Sequence, residues 1–164
     1  MFKKLFGKKE EITEVVLKAP LTGKAVDLAE VPDPVFSEKM MGDGLAIEPS
    51  EGIVVSPVDG EVVQVFPTKH AIGLRAENGA EILIHIGLET VSMKGEGFET
   101  HISEGSKVKT GDKLVSFDID LVKEKAKSTV TPVIITNGDA LSSIEKKALG
   151  AVNRGETPVI TVIK

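Results

Sequence analysis

The chain has 164 residues, of which 41% are hydrophobic and 27% charged, a balance that fits one globular domain with a sizeable core. Its formal net charge is −5 and it contains only two arginines, which excludes the concentrated basic surface that nucleic-acid binding needs. Cysteine is absent, which excludes disulfides, thiolate chemistry and zinc sites built from cysteines.

The amino-terminal residues differ from the rest of the chain in composition. Phe2, Leu5 and Phe6 fall at helical spacing among lysines, a pattern that fits either a short basic helix on an anionic membrane surface or a solvated terminus. We expect residues 1–13 to be a flexible basic tail, with weak membrane contact as the alternative, and residues 14–164 to be a single domain. The sequence holds no apolar run long enough to span a membrane and no secretory signal, so we expect a cytoplasmic protein.

Strand signals dominate from Val15 onwards. Short runs rich in valine and isoleucine alternate with Gly, Pro, Asp and Asn, as is typical of an all-β sandwich or barrel. We predict a single-domain antiparallel β-sandwich or barrel-sandwich, with short helical turns at Asp118–Lys127 and Glu145–Ala148. The predicted strands are Glu14–Lys18, Gly23–Asp27, Gly44–Pro49, Gly52–Ser56, Gly60–Phe66, Gly73–Glu77, Ala80–Ile86, Phe98–His101, Lys107–Val108, Lys113–Phe117, Thr131–Ile135 and Thr157–Ile163.

A hairpin is predicted around the Asn78-Gly79 pair, which is a strong signal for a tight turn. Counting outward from this turn places His70 opposite Ile86–Gly87. His70 and His85 should therefore meet across the two strands, within a residue or so of each other. Thr68 lies two residues before His70, so on a strand its hydroxyl would share a face with that imidazole.

The stretch Ala80–Ile86 predicts a strand that is buried on both faces and carries His85 near its end. Its three isoleucines have period two, which places them on one face and Leu83 and His85 on the other. Gly87 has no side chain, so another group can approach the imidazole closely. A histidine fixed in this way could act as nucleophile, proton carrier or metal ligand, or could be a hydrogen-bonded core residue.

Two other activities remain open from these residues. Glu104–Leu114 reads like the hairpin of a biotinyl or lipoyl carrier domain, with Lys94 as the modified lysine, although the chain is longer than such a domain. His70 and His85 could instead be ligands of a zinc hydrolase. Catalytic zinc typically needs three protein ligands, however, and the sequence holds no His-x-His or His-Glu-x-x-His pattern. We expect no permanent metal and leave open a transient zinc at His70 and His85 that is shared with a partner's carboxylate.

Residues 79–91 read Gly-Ala-Glu-Ile-Leu-Ile-His-Ile-Gly-Leu-Glu-Thr-Val. This segment resembles the signature of the glucose-type enzyme IIA of the bacterial phosphoenolpyruvate:sugar phosphotransferase system. The resemblance extends in the family's order over nearly everything from about Glu14 to the end of the chain. The other segments that carry it are Val31–Phe36, Gly42–Ile47, Lys94–Phe98 and Glu124–Thr129.

The resemblance implies that the chain is a phosphocarrier. His85 matches the histidine that is phosphorylated by phosphohistidine on HPr and then discharged to a cysteine on the IIB domain of a sugar permease. His70 matches the second active-site histidine, Thr68 matches the threonine that hydrogen-bonds near it, and no cofactor is required. The residues expected to dock the two partner proteins are Asp33, Val35, Phe36, Ile47, Phe66, Ile72, Gly87 and Glu89.

Overall fold

The computed structural model describes residues 12–147 and 149–164, which form fourteen strands, two short α-helices and three turns of 3₁₀-helix. The strands are β1 (Glu14–Lys18), β2 (Gly23–Asp27), β3 (Asp43–Pro49), β4 (Ile53–Val55), β5 (Gly60–Val65), β6 (Ala71–Ala76), β7 (Glu81–His85), β8 (Phe98–Thr100), β9 (Lys107–Val108), β10 (Lys113–Phe117), β11 (Thr131–Ile135), β12 (Ser143–Lys146), β13 (Gly150–Val152) and β14 (Pro158–Ile163). The helices are α1 (Pro34–Ser37) and α2 (Ile119–Lys125), and the 3₁₀ turns are Leu28–Glu30, Thr90–Met93 and Gly138–Ala140. The predicted tail falls almost entirely on residues 1–11, outside the described part of the chain.

The strands form one large and two small sheets. Eight strands follow the order β13-β2-β3-β11-β7-β6-β5-β9, and the two three-stranded sheets are β1-β14-β12 and β4-β10-β8. All the pairings between these strands are antiparallel, so the predicted all-β antiparallel fold is confirmed. Within the described residues, no helix is both long and apolar enough to cross a membrane.

Strand β7 is buried on both faces, as its sequence predicts. Ile82 and Ile84 belong to the main core, to which all three sheets contribute side chains. Leu83 points the other way, into a smaller apolar cluster that also contains Phe36 and Ala71. Because a strand buried on both faces has little freedom to shift, β7 is a rigid support for the residue at its end.

The hairpin of β6 and β7 has the register that the sequence predicts. Ala71 pairs with His85, and one step further along the Ile86 amide donates to the His70 carbonyl at 2.7 Å. Gly79 closes the turn with φ +92, a conformation that favours glycine. The prediction that His70 lies opposite Ile86 is therefore confirmed.

Asn78 has a second role that its turn signal does not indicate. Its side chain is buried, and its Oδ1 accepts from the Ala80 amide at 3.1 Å. Its Nδ2 donates to the Thr13 carbonyl at 3.0 Å and to the Val162 carbonyl at 3.2 Å. The amide thus ties the hairpin turn to β14 and to the residue that precedes β1.

The helical predictions are right in one place and wrong in another. Helix α2 lies inside the predicted Asp118–Lys127, and Asp118 caps it by accepting from the Leu121 amide at 3.1 Å. The predicted turn at Glu145–Ala148 is wrong, because Ser143–Lys146 forms β12 and pairs with β14. There Ile144 packs against the core and the neighbouring strand satisfies the backbone, and these tertiary contacts override the helical preference of Glu and Lys.

Candidate functional site

His85 is held in one tautomer by the backbone that follows it. Its Nδ1 lies 2.8 Å from the Gly87 carbonyl oxygen, which can only accept a hydrogen bond. Nδ1 therefore carries the proton and donates, so in the neutral ring the lone pair is on Nε2. This is the arrangement of an imidazole nucleophile with one defined reactive atom.

The loop after His85 is fixed by its neighbours. The Leu88 amide donates to the Ser128 carbonyl at 2.9 Å, and the Thr90 hydroxyl donates to the Ile86 carbonyl at 2.6 Å. The Gly87 amide donates to the hydroxyl of the buried Thr131 at 3.3 Å. These bonds hold the Gly87 carbonyl where the imidazole can reach it.

Gly87 allows the loop to adopt its conformation. The sequence instead predicts a place for it on a docking surface. It is buried and has φ +71. A Cβ at this position would lie 2.7 Å from the Thr90 methyl carbon and 2.8 Å from the Ser128 carbonyl oxygen. The groups that approach closely are therefore the protein's own, and the docking assignment of Gly87 is wrong.

His70 is positioned by a turn and not by a strand. The Lys69 amide donates to the Phe66 carbonyl at 2.7 Å, and Lys69 has φ +64. The Thr68 hydroxyl lies 2.6 Å from His70 Nδ1, so the predicted contact between the two side chains is confirmed. Its predicted cause is wrong, because both residues precede β6 and the turn, not strand alternation, brings them together.

The two imidazoles meet as predicted. Their ring centroids are 4.8 Å apart, with the planes at 80°. Phe36 packs against His85 at 5.1 Å between centroids, and Phe66 packs edge-on against His70 at 5.6 Å. The aromatic rings restrict the rotation of both imidazoles, so the pair has a fixed geometry.

Both rings lie in the wall of an open cavity of about 590 Å³. Five of the predicted docking residues line it, namely Asp33, Val35, Phe36, Phe66 and Glu89. Sequence reasoning missed five others, namely Met41, Pro67, Leu83, Thr90 and Val91. Leu83, Thr90 and Val91 belong to the signature segment, and Leu83 shares a strand face with His85, so local signals were available for these three. Nothing local marks Met41.

Ile47 and Ile72 are not part of this surface, contrary to the prediction. Both are fully buried in the main core. Ile72 pairs across the hairpin with Ile84, and directly paired residues share a face of the sheet. Since Ile84 faces the core, Ile72 faces it too and cannot contact a partner.

Burial keeps both histidines neutral at pH 7. Burial and, to a smaller extent, the neighbouring His85 together lower the pKa of His70 to about 4. Burial also lowers the pKa of His85, against the opposing effects of the hydrogen bond to Gly87 and the carboxylate of Asp33. That carboxylate also caps α1, since it accepts from the Val35 amide at 3.0 Å.

The site offers a metal ion two imidazole nitrogens. Among the described residues, no group of three or more His, Cys, Asp and Glu side chains is arranged to hold a metal ion. A zinc ion here would therefore need at least one further ligand from another molecule.

The arrangement is suited to nucleophilic chemistry on an anionic group that a partner presents. It has a neutral, oriented imidazole at an apolar opening and a second imidazole beside it. Of the described residues that line the cavity, none is Lys or Arg. Cationic stabilisation of a moving charge would thus come from the partner.

The chain is similar to known proteins in sequence and in fold. A family model described as the phosphoenolpyruvate-dependent sugar phosphotransferase system, EIIA 1, matches residues 15–141. The chain is 62% identical over 162 residues to the PTS system glucose-specific EIIA component of Bacillus cereus, covering 99% of this chain and 98% of that protein. It is 59% identical over 169 residues to the protein of the same name from Halalkalibacterium halodurans, with 99% and 98% covered. Among solved structures, glucose permease IIA from Mycoplasma capricolum matches with a TM-score of 0.82 and 41% identity, covering 93% of this chain and 98% of that one.

Proposed function

Because the chain belongs to the EIIA 1 family of the phosphoenolpyruvate-dependent sugar phosphotransferase system, we propose that it carries a phosphoryl group on His85 between HPr and a sugar permease. Members of this family are phosphotransferase components. The observation that carries the proposal is the hydrogen bond from His85 Nδ1 to the Gly87 carbonyl, which leaves Nε2 as the nucleophile. The comparisons give no support to the carrier-domain or zinc-hydrolase alternatives.

In the accepting step, His85 Nε2 attacks the phosphorus of phosphohistidine on HPr. A new N–P bond forms as the old one breaks, and the electron pair of the broken bond returns to the HPr imidazole. In the donating step, a thiolate of the IIB domain attacks the same phosphorus, and the electron pair returns to Nε2. Each step exchanges one bond to phosphorus for another, and neither consumes water.

His70 supports the transfer by donating a hydrogen bond to a phosphoryl oxygen. Its low pKa makes the ring neutral, so only one of its nitrogens carries a proton. If the Thr68 hydroxyl donates to Nδ1 across their 2.6 Å contact, that proton is on Nε2, free to reach the phosphoryl group. Thr68 would thus act by selecting the tautomer of His70.

Glucose is the sugar that the comparisons favour, because the relatives are named as glucose-specific components. The specificity itself would reside in the permease, since this chain would contact only the phosphoryl group and its protein carriers. Transfer from a phosphoenolpyruvate-charged donor also implies a cytoplasmic location. A transient zinc at the two histidines remains a prediction.

The test is phosphorylation from labelled phosphoenolpyruvate in the presence of enzyme I and HPr. We expect one acid-labile phosphate on the wild type and none on His85→Ala, because the nitrogen that forms the N–P bond is gone. His101→Ala is the matched control and should be phosphorylated normally, since His101 lies on the surface and contacts Ser116. Phosphate on His70 in the His85→Ala protein would overturn the assignment.

A further inference from the structure

Sulfur occurs in this chain only in methionine, because the sequence contains four methionines and no cysteine. Met93 is 6% exposed and belongs to the main core. Met40 and Met41 are 69% and 39% exposed, so solvent reaches both side chains. Among the described residues, these two neighbours are therefore the only exposed side chains that contain sulfur.

The two exposed methionines differ in their relation to the histidine cavity. Met41 lies in the wall of the cavity, whereas Met40 does not line it. Met41 shares this wall with other exposed apolar side chains, namely Val35 and Val91. In the proposed phosphoryl transfer, a partner protein covers the wall and takes the Met41 side chain out of water. The chemical state of Met41 therefore bears on docking, and that of Met40 does not.

The backbone holds Met41 in this position. The amide of the next residue, Gly42, donates to the Lys39 carbonyl at 3.2 Å. Gly42 also packs so closely against the backbone of Ile135 in β11 that no side chain would fit there. Because the chain beside Met41 has no room to shift, a chemical change in this side chain can be accommodated only by rotation about its own bonds.

We propose that Met41 is a site of reversible oxidation by peroxides and that its sulfoxide weakens the docking of phosphorylated HPr, an inference that rests on the proposed function. The thioether sulfur attacks one oxygen of the peroxide, an S–O bond forms and the O–O bond breaks. The sulfur is oxidised by two electrons. The second oxygen leaves with the electron pair of the O–O bond, takes the proton of the transferred oxygen and departs as water when the oxidant is hydrogen peroxide.

Oxidation converts the Met41 side chain from apolar to polar. Docking then removes the sulfoxide oxygen from water against a mainly apolar wall, which costs free energy unless a donor replaces the lost hydrogen bonds. We expect the KM for phosphorylated HPr to rise by about 5- to 100-fold. The kcat should change less, because the tautomer of His85 is set by the Gly87 carbonyl and not by Met41.

The neighbouring methionine supplies a matched control. Wild type, Met40→Leu and Met41→Leu are treated with hydrogen peroxide, the peroxide is removed, and peptide mass spectrometry measures the oxidation of each methionine. Phosphate acceptance from HPr is then compared with the untreated sample of the same protein, so a change in basal rate caused by the substitution does not matter. Met41→Leu should keep its KM, because leucine has a similar volume and no sulfur to oxidise. Met40→Leu should show the same rise as the wild type.

Reversal of the modification is the second part of the experiment. Treatment of the oxidised wild type with methionine sulfoxide reductases for both epimers should restore the original KM. The urea midpoint of the oxidised protein should equal that of the untreated protein, because Met41 lies at the surface and not in the core. Met1 is common to all three proteins, so its oxidation does not distinguish them.

Three results would overturn the inference alone. An unchanged KM after full conversion of Met41 would show that the sulfoxide does not hinder docking. An equal rise in oxidised Met41→Leu would place the damage elsewhere in the chain. A Met41 that stays reduced while Met40 is converted would show that peroxide does not reach it. Failure of the untreated wild type to accept phosphate would contradict the proposed function, and this inference with it.

Discussion

At the scale of single residues, the two histidines are held in different ways, which gives them separable tasks in the proposed transfer. His85 offers a lone pair on a nitrogen whose ring partner is committed to the Gly87 carbonyl, whereas His70 is held by a side chain, the Thr68 hydroxyl. A fixed carbonyl determines the tautomer, but a hydroxyl can donate or accept. His85 therefore has one defined tautomer, whereas the tautomer of His70 depends on whether the Thr68 hydroxyl donates or accepts.

Replacement of His70 should separate acceptance from donation. His70→Gln keeps a hydrogen-bond donor of similar reach but cannot carry a proton. We expect it to accept phosphate from HPr and to pass it to the IIB domain more slowly, by about 10²- to 10⁴-fold. Rapid-quench transfer of labelled phosphate measures both steps, with Thr68→Ala expected to show a milder form of the same defect. Donation at the wild-type rate would exclude a role for His70.

The low pKa of His70 also predicts a pH dependence of stability. In the unfolded chain the ring has its ordinary pKa near 6.5, whereas in the folded protein the value is about 4. Between these values the unfolded state binds the extra proton, so the free energy of unfolding falls as the pH falls. The fall in the free energy of unfolding that is due to His70 amounts to roughly 3 kcal/mol and is complete below pH 4. His70→Gln removes this pH dependence, because glutamine does not titrate.

Urea unfolding of the wild type and His70→Gln at several pH values between 7 and 4 measures this difference. The carboxylates that titrate in the same range are common to both proteins, so only the divergence of the two curves is informative. The wild type should lose stability more steeply than the variant. Parallel curves would show that the His70 proton does not contribute.

At the scale of single elements, the site depends on the loop that follows β7. Gly87→Ala should destabilise the protein by about 3 kcal/mol or more, because a positive φ is combined with contacts of 2.7 and 2.8 Å to Thr90 and Ser128. Gly79→Ala is the matched control, since Gly79 has φ +92 but no atom within 4 Å of the added Cβ. It should cost only about 1–2 kcal/mol. Equal losses in denaturant unfolding would show that backbone conformation, and not the close approach, makes Gly87 necessary.

Element-level prediction from the sequence succeeded where the signal was local. The Asn78-Gly79 turn fixes the hairpin, and the hairpin brings His70 to Ile86 and next to His85. Strand alternation also held enough information to place Ile72 in the core, because Ile72 pairs with Ile84. Because paired residues share a face and Ile84 faces the core, this pairing would have removed Ile72 from the predicted docking surface.

Helix α1 also has a local sequence signal from which its start could have been predicted. Asp33 is its N-cap and Pro34 occupies its first turn, a combination typical of a helix start. Met41 could not be predicted, because its place in the cavity depends on how the chain after α1 packs near β7. Such contacts arise from tertiary structure and leave no period in the sequence.

At the scale of the whole molecule, Asn78 couples the sheet that carries the histidines to the three-stranded sheet β1-β14-β12. Asn78→Ala removes one acceptor and the donors of two hydrogen bonds, and it leaves the Thr13 and Val162 carbonyls without this partner. We expect a loss of about 2–4 kcal/mol of stability, since each bond contributes about 1 kcal/mol and buried groups left unpaired cost more. Asn153→Ala, at an exposed position, is the control and should change stability by less than about 0.5 kcal/mol. A loss in Asn78→Ala no larger than in this control would show that the two sheets do not depend on the amide.

The hydrogen bond from Asn78 to Val162 spans 84 residues of sequence, and its partner strand β14 also pairs with β1. The order of events in folding follows from this. The hairpin of β6 and β7 can close early because its strands are neighbours in the chain, but its turn stays open to water until both ends of the chain arrive. During synthesis on the ribosome, the histidines would therefore come together before the molecule that supports them is complete. The pairing of β14 with β1 joins residues that are far apart in the chain, so we expect it to form after the hairpin.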